Sequence, residues 1–232
     1  MRFYLTTSIS TLAIIAATLW SYGIPMVDAI TPEFTRLKID VYYESLCGDS
    51  VSFIRNQLVP SYALLKNVLN VTFVPYGKAT HTKNSQTGKW EFVCQHGIHE
   101  CNGNIAQACG LAEIGNLSLD FQQRQDLAVN FVGCVMSDRH PATAVPRCTE
   151  HVRLAEASRN RINQCKNNTE GDELLVAAGN KSNLVQSPLS FVPTIVLNEN
   201  FDSDQQYNLL YNFEAFICGL IPEEGRPSGC NK

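Results

Sequence analysis

Leu37-Lys38-Ile39-Asp40-Val41-Tyr42-Tyr43-Glu44-Ser45-Leu46-Cys47-Gly48-Asp49-Ser50 is the stretch on which the reading of this chain turns. Its first seven residues are rich in β-branched and aromatic side chains and read as a buried strand. Asp49 to about Lys66 reads as a helix, with Val51, Ile54, Leu58 and Leu65 near helical spacing. Asp49 and Ser50 suit its first turn, where short polar side chains meet unpaired backbone N–H groups. Cys47 therefore stands at a strand-to-helix junction. Two cysteines separated by two residues at such a junction form a redox motif. Here the first position is Cys47 and the second is Ser50, so the chain carries half of one.

Working outward, Pro60 is expected to break or bend the helix late. Val68 to Gly77 reads as a second strand ending in a turn, which makes the beginning a β-α-β unit with parallel strands. His81 to Lys89 is polar and loop-like. Asn102–Ile114, Asp120–Ser137, Thr149–Gln164 and Glu170–Lys181 carry helical patterning. Ser190 to Asn198 reads as a strand preceded by proline, Asn198-Glu199-Asn200 as a hairpin turn, and Asp204 to Leu220 as a closing helix. The tail from Pro222 is rich in proline and glycine.

The start of the chain reads as a cleaved signal peptide. Arg2 supplies the positive end, Ile9 to Trp20 a short apolar core, and Val27-Asp28-Ala29 the small residues of a cleavage site. The alternative, a membrane anchor, wants roughly 20 apolar residues, more than this stretch offers. The reading divides the chain into a signal peptide at 1–29 and one domain at 30–232. Net charge is −4 with no basic run, which argues against a nucleic-acid or anionic-membrane surface. Sequons at Asn70, Asn116, Asn167 and Asn180 favour a glycosylated protein of the secretory pathway.

There are nine cysteines. In an oxidising compartment they tend to pair, and an odd one is a free or reactive thiol. Setting Cys47 aside leaves Cys94, Cys101, Cys109, Cys134, Cys148, Cys165, Cys218 and Cys230, enough for four disulfides. The alternative is that Cys47 is paired and another cysteine is left over. Connectivity is open, since eight cysteines allow on the order of a hundred pairings. Cys218 with Cys230 is a plausible local bridge.

The order β-α-β, helices, then strand, turn and helix is a thioredoxin-like plan, an α/β fold, interrupted by a disulfide-rich helical insertion at about 78–185. In such folds a cis proline sits opposite the active-site cysteine, and Pro193 fills that place. Before proline a cis bond costs only about 0.5–1 kcal/mol, so both isomers are open to Val192-Pro193.

Cys94-Gln95-His96-Gly97-Ile98-His99-Glu100-Cys101 puts two cysteines and two histidines within one short segment, which invites a metal reading. The spacing is too tight for a common structural zinc site, and an oxidising compartment favours disulfides over thiolate ligands. No metal is expected. With Asn104 and Cys109 the same segment spells Cys-Gln-His-Gly-x-x-Glu-Cys-x-x-Asn-x-x-x-x-Cys. This resembles the signature of the gamma-interferon-inducible lysosomal thiol reductase family, filled without a gap by Cys94, Gln95, His96, Gly97, Glu100, Cys101, Asn104 and Cys109. The resemblance extends over about residues 37 to 230. It implies a thioredoxin-like fold with a helical insertion. It also implies a soluble, glycosylated enzyme of lysosomes or the extracellular space that reduces protein disulfides at acid pH, often in immunity. The family's two active cysteines fall on Cys47 and Ser50, so the second is absent.

A lone thiolate can attack a disulfide and form a mixed disulfide. A helix N-terminus favours such an anion, while Glu44 and Asp49 oppose it. Ser50 cannot resolve the mixed disulfide but can donate a hydrogen bond to the thiolate. The expected activity is thiol-disulfide oxidoreduction through Cys47, with Ser50 at the degenerate resolving position. No cofactor is expected, only an external small thiol such as glutathione or cysteine; the partners are disulfide-containing proteins. The alternative is a secreted, non-catalytic glycoprotein that binds partners in host defence. A hydrolase has little support, because Ser50 lies in no Gly-x-Ser-x-Gly elbow and His96 and His99 have no evident partner. Gln95, His96 and Asn104 are expected to be buried hydrogen-bonders shaping the cysteine-rich loop.

Overall fold

A computed structural model describes residues 35–231. The expected signal peptide lies outside the described residues. Among them, no helix is long and apolar enough to cross a membrane.

The fold is built on β1 (Leu37–Tyr43), which is the middle strand of three. Ile39, Val41 and Tyr43, on one face, are fully buried; on the other face Tyr42 and Asp40 are nearly so. Beside β1 lies β2 (Leu69–Pro75), parallel, with Ile39 opposite Val71 and Tyr43 opposite Pro75. On its other side lies β5 (Thr194–Leu197), antiparallel, with Val41 opposite Ile195. One face of this sheet packs Tyr42, Val74 and Val196 against Leu189, with Ala178, Val185 and Phe201 around them.

Between β1 and β2 runs α1. It begins as Gly48–Phe53, passes through a π-helical turn at Ile54–Leu58, and resumes as Val59–Leu65. A proline ring inside a helix collides with the carbonyl four residues earlier, here that of Asn56. Asn56 lies in the wide π turn, so Pro60 is absorbed and the helix continues where a break is expected from sequence.

Between β2 and β5 lie a hairpin and five helices. The hairpin, β3 (Thr80–Lys83) with β4 (Trp90–Val93), replaces part of the expected loop. Its residues are mostly polar and exposed, so no apolar alternation marks it in the sequence. His81 anchors it edge-on between Tyr76 and Trp90. The helices are α2 (Ile98–Asn116), α3 (Phe121–Ser137), α4 (Val145–His151), α5 (Glu156–Lys166) and α6 (Thr169–Val185). The single helix expected over Thr149–Gln164 is two, α4 and α5, joined through Arg153 at φ 59°. Each is tethered elsewhere, α4 to α3 by Cys148–Cys134 and α5 to α2 by Cys165–Cys109. Two anchors on different partners require the chain to turn between them.

The last strand is shorter than expected. Only Thr194–Leu197 pairs with β1, because Pro188 and Pro193 have no N–H to give a ladder. The turn at Asn198 and Glu199 forms with both residues at positive φ, but its return arm is a single bridge from Leu197 to Asn200. The expected closing helix is also two, α7 (Gln206–Tyr211) and α8 (Phe213–Leu220). At the break the Phe213 amide donates to Gln57 Oε1 at 3.2 Å, and its ring meets Phe53 edge-on at 5.7 Å. Burying that ring against α1 outweighs helix continuity. Cys218 and Cys230 are bonded, tying the tail to α8.

Candidate active site

After Tyr43 the chain leaves the sheet and must turn into α1 within Glu44-Ser45-Leu46. Amides in so tight a turn have neither ladder nor helix partners, and leaving one buried and unpaired costs about 1–3 kcal/mol. The partners come from α2. The Ser45 amide donates to Asn104 Oδ1 at 2.9 Å, and the Leu46 amide to Glu100 Oε2 at 3.3 Å. The Ser45 hydroxyl donates to the Glu100 carbonyl at 3.1 Å. Glu44, Glu100 and Asn104 are all fully buried. A second set of contacts holds the strand end, where Tyr43 donates its phenol to Gln107 Oε1 at 2.7 Å.

Cys47 follows at the N-cap of α1, its carbonyl accepting from the Val51 amide at 3.0 Å. It is the free cysteine among the described residues and is 8 % exposed. Its thiol faces the Val192 carbonyl oxygen at 3.8 Å. The Val192–Pro193 bond is cis, so this proline and Cys47 share one end of the sheet. Ser50 is fully buried. Its hydroxyl accepts the Glu44 amide at 3.4 Å, a contact that does not use the hydroxyl hydrogen.

A groove of about 260 Å³ opens beside this end, lined by Phe53, Phe191, Val192, Pro193, Leu210 and Tyr211. Its size suits one or two side chains rather than a cofactor.

The signature residues are brought together at the start of α2. Cys94 and Cys101 are bonded to each other, and Cys109 to Cys165, so none of these thiols is open to a metal. Gly97 caps α2 at φ 79°, a conformation that favours glycine. Gln95 and His96 are exposed rather than buried as expected, as is His99. His96 nonetheless has a partner. Its Nδ1 lies 2.6 Å from Glu100 Oε2, and its amide donates to Glu100 Oε1 at 3.1 Å. Glu44 Oε2 lies 3.5 Å from the same Nδ1. These three side chains are near enough to one another to share a cation. However, two ligands of one tetrahedral zinc stand about 3.3 Å apart at ordinary bond lengths. The 2.6 Å contact is a hydrogen-bond length, so the group is a hydrogen-bonded network.

Within it, burial pushes the Glu44 carboxyl up, and the nearby Glu100 adds to this; the Lys78 amide and His96 oppose it. Glu44 Oε1 accepts the Lys78 amide at 2.7 Å, while Oε2 is buried without a hydrogen bond. Glu44 and Val192 have no motif of their own in the sequence; the three-residue spacing of Glu44 before Cys47 is the only signal that could have drawn attention to it. Of the sequons, Asn116, Asn167 and Asn180 are exposed and Asn70 is half-buried on β2.

A solved structure, DsbA of Chlamydia trachomatis, superposes with a TM-score of 0.54 at 13 % identity, over 81 % of this chain and 89 % of that one. At that identity the likeness speaks for the fold, which is thioredoxin-like α/β with a disulfide-linked helical insertion. Residues 38–152 match the family described as gamma interferon inducible lysosomal thiol reductase. A gamma-interferon-inducible lysosomal thiol reductase-like protein of Anopheles gambiae is 35 % identical over 82 % of this chain and 79 % of its own length. GILT-like protein 1 of Drosophila melanogaster is also 35 % identical, over 85 % of this chain and 79 % of its own. With Glu100 and Asn104 of the signature holding the turn before Cys47, the chain belongs to the gamma-interferon-inducible lysosomal thiol reductase family.

Proposed function

We propose that this protein is a thiol-disulfide oxidoreductase that reduces or isomerises protein disulfides through Cys47 alone. The observation that carries the reading is Cys47 itself: a free thiol at a helix N-cap, facing the Val192 carbonyl, while the other cysteines are bonded in pairs. The Cys47 thiolate attacks one sulfur of a substrate disulfide. The new Cys47–substrate disulfide forms as the old bond breaks, and the second substrate sulfur leaves as a thiolate. Ser50 cannot complete the cycle. An external small thiol, such as glutathione or cysteine, attacks the mixed disulfide and releases the substrate reduced. A second equivalent then frees Cys47 and leaves as the small-molecule disulfide. No cofactor enters, and the partners are disulfide-containing proteins.

The setting that fits is acidic and endolysosomal, or secreted, with a role in innate immunity, as the names of the relatives suggest. The test is reduction of insulin disulfides at pH 4.5–5.5 with added small thiol. Turnover above a Cys47→Ser control is expected, and none above it would sink the reading.

A second reading, favoured by the burial of Ser50 against the Glu44 amide, is a secreted glycoprotein that binds partners without turnover. It requires that Cys47→Ser leave binding and biological effect unchanged.

A further inference from the structure

We propose that Glu100 is the positioning residue of the Cys47 site, its carboxylate oriented by His96 so that it fixes the turn immediately before the nucleophile. The proposal rests on Cys47 being a working thiol.

Each atom of the Glu100 end is used. Oε1 accepts the His96 amide, Oε2 meets His96 Nδ1 and accepts the Leu46 amide, and the carbonyl accepts the Ser45 hydroxyl. One turn along α2, Asn104 accepts the Ser45 amide. Ser45 and Leu46 are thus held from one helix face, and Cys47 is the next residue. The approach is close enough to exclude a side chain: a Cβ at Gly103 would lie 2.6 Å from Ser45 Oγ and 2.8 Å from the Ala142 Cα. From the opposite side, a Cβ at Gly77 would lie 2.2 Å from Glu44 Cγ. The Cys94–Cys101 bridge closes the loop that carries His96 onto the first turn of α2. The signature segment therefore acts on the nucleophile through the backbone of residues 44–46.

Attack on a disulfide needs three sulfurs near one line, whereas alkylation by a small reagent tolerates many approaches. The ratio of the two rates at Cys47 therefore reports positioning and cancels simple exposure. The probes are glutathione disulfide, forming the Cys47–glutathione mixed disulfide and releasing one glutathione thiolate, and iodoacetamide. Both act on the full native protein, with four disulfides and one free thiol verified for each variant. In Glu100→Ala the ratio is expected to fall about tenfold, in line with the cost of a small misplacement of reacting groups. Glu100→Gln, which keeps an acceptor oxygen for the Leu46 amide, is expected to restore it to within about threefold. His96→Ala, a change at an exposed side chain, should lower it about threefold, and His99→Ala should leave it unchanged.

A ratio within about twofold of wild type in a folded Glu100→Ala overturns the proposal. Should Glu100→Ala fail to fold, an unchanged ratio in His96→Ala overturns it instead. A wild-type protein that forms no mixed disulfide at all refutes the reading of Cys47 as nucleophile, which is a separate outcome.

Discussion

The Cys47 thiol stands 3.8 Å from the carbonyl oxygen of Val192, a residue 145 positions further along the chain. The contact joins the end of β1 to the cis peptide bond that precedes β5, with the groove of Phe191, Leu210 and Tyr211 beside it.

The first prediction concerns thiol count. The native protein should take one iodoacetamide adduct, at Cys47, and still only one after unfolding without reductant, because the other eight cysteines form four bridges. Peptide mapping by mass spectrometry checks this. No adduct, or an adduct elsewhere, would contradict the assigned pairing.

Ser50→Cys tests whether resolution is the missing step. The introduced thiol would lie one helical turn from Cys47 and could attack the mixed disulfide internally. Turnover of insulin disulfides should rise about tenfold or more, from the advantage of an intramolecular over an external thiol. The disulfide this leaves between Cys47 and the introduced thiol is then reduced by the external small thiol, which still supplies both electrons of each cycle. Equal turnover in the two proteins would show that another step limits the rate.

Glu44 should make stability depend on pH. Its carboxyl is held above the ordinary range by burial, so its favourable contribution is present below about pH 4.3, the unfolded value, and is lost as pH rises through the folded value. Glu44→Gln cannot titrate and can donate from the position of the unpartnered Oε2. The variant should melt close to wild type at pH 4 and higher than wild type at pH 7. Thermal melts at the two pH values read the difference; an equal shift at both would remove Glu44 from the account.

Gly103→Ala probes the contact between α2 and the turn. The added methyl would meet the Ser45 side chain and the Ala142 backbone, and backbone cannot yield cheaply. Overpacking of this kind costs about 1–3 kcal/mol. A melt within about a degree of wild type would mean that the two segments separate freely. Gly115→Ala, where nothing lies within 4 Å, is the control and should be neutral or slightly stabilising.

Much of this was legible from residues alone. The run Leu37–Tyr43 announces a buried strand through its β-branched and aromatic residues. The parity of the cysteines singles out Cys47 because bridging consumes thiols in twos, and Cys218–Cys230 is local enough to guess. The signature from Cys94 to Cys109 is a fixed pattern, readable without coordinates. Local chemistry does not reveal how long segments compete. Phe213 breaks a helix to bury its ring on α1, the π turn at Ile54–Leu58 absorbs Pro60, and two disulfides split Thr149–Gln164. The first and last of these depend on partners outside the segment itself.

The same division runs through the site. The identities of Cys47, Ser50, Glu100 and Asn104, and the place of Glu100 and Asn104 in one family signature, are properties of the chain as written. Their roles are set by folding, which brings α2 against the turn after β1 across more than fifty residues of intervening chain. Hydrogen bonds act over about 3 Å, so no spacing rule along the sequence could show that Glu100 holds Leu46, or that Ser50 accepts the Glu44 amide.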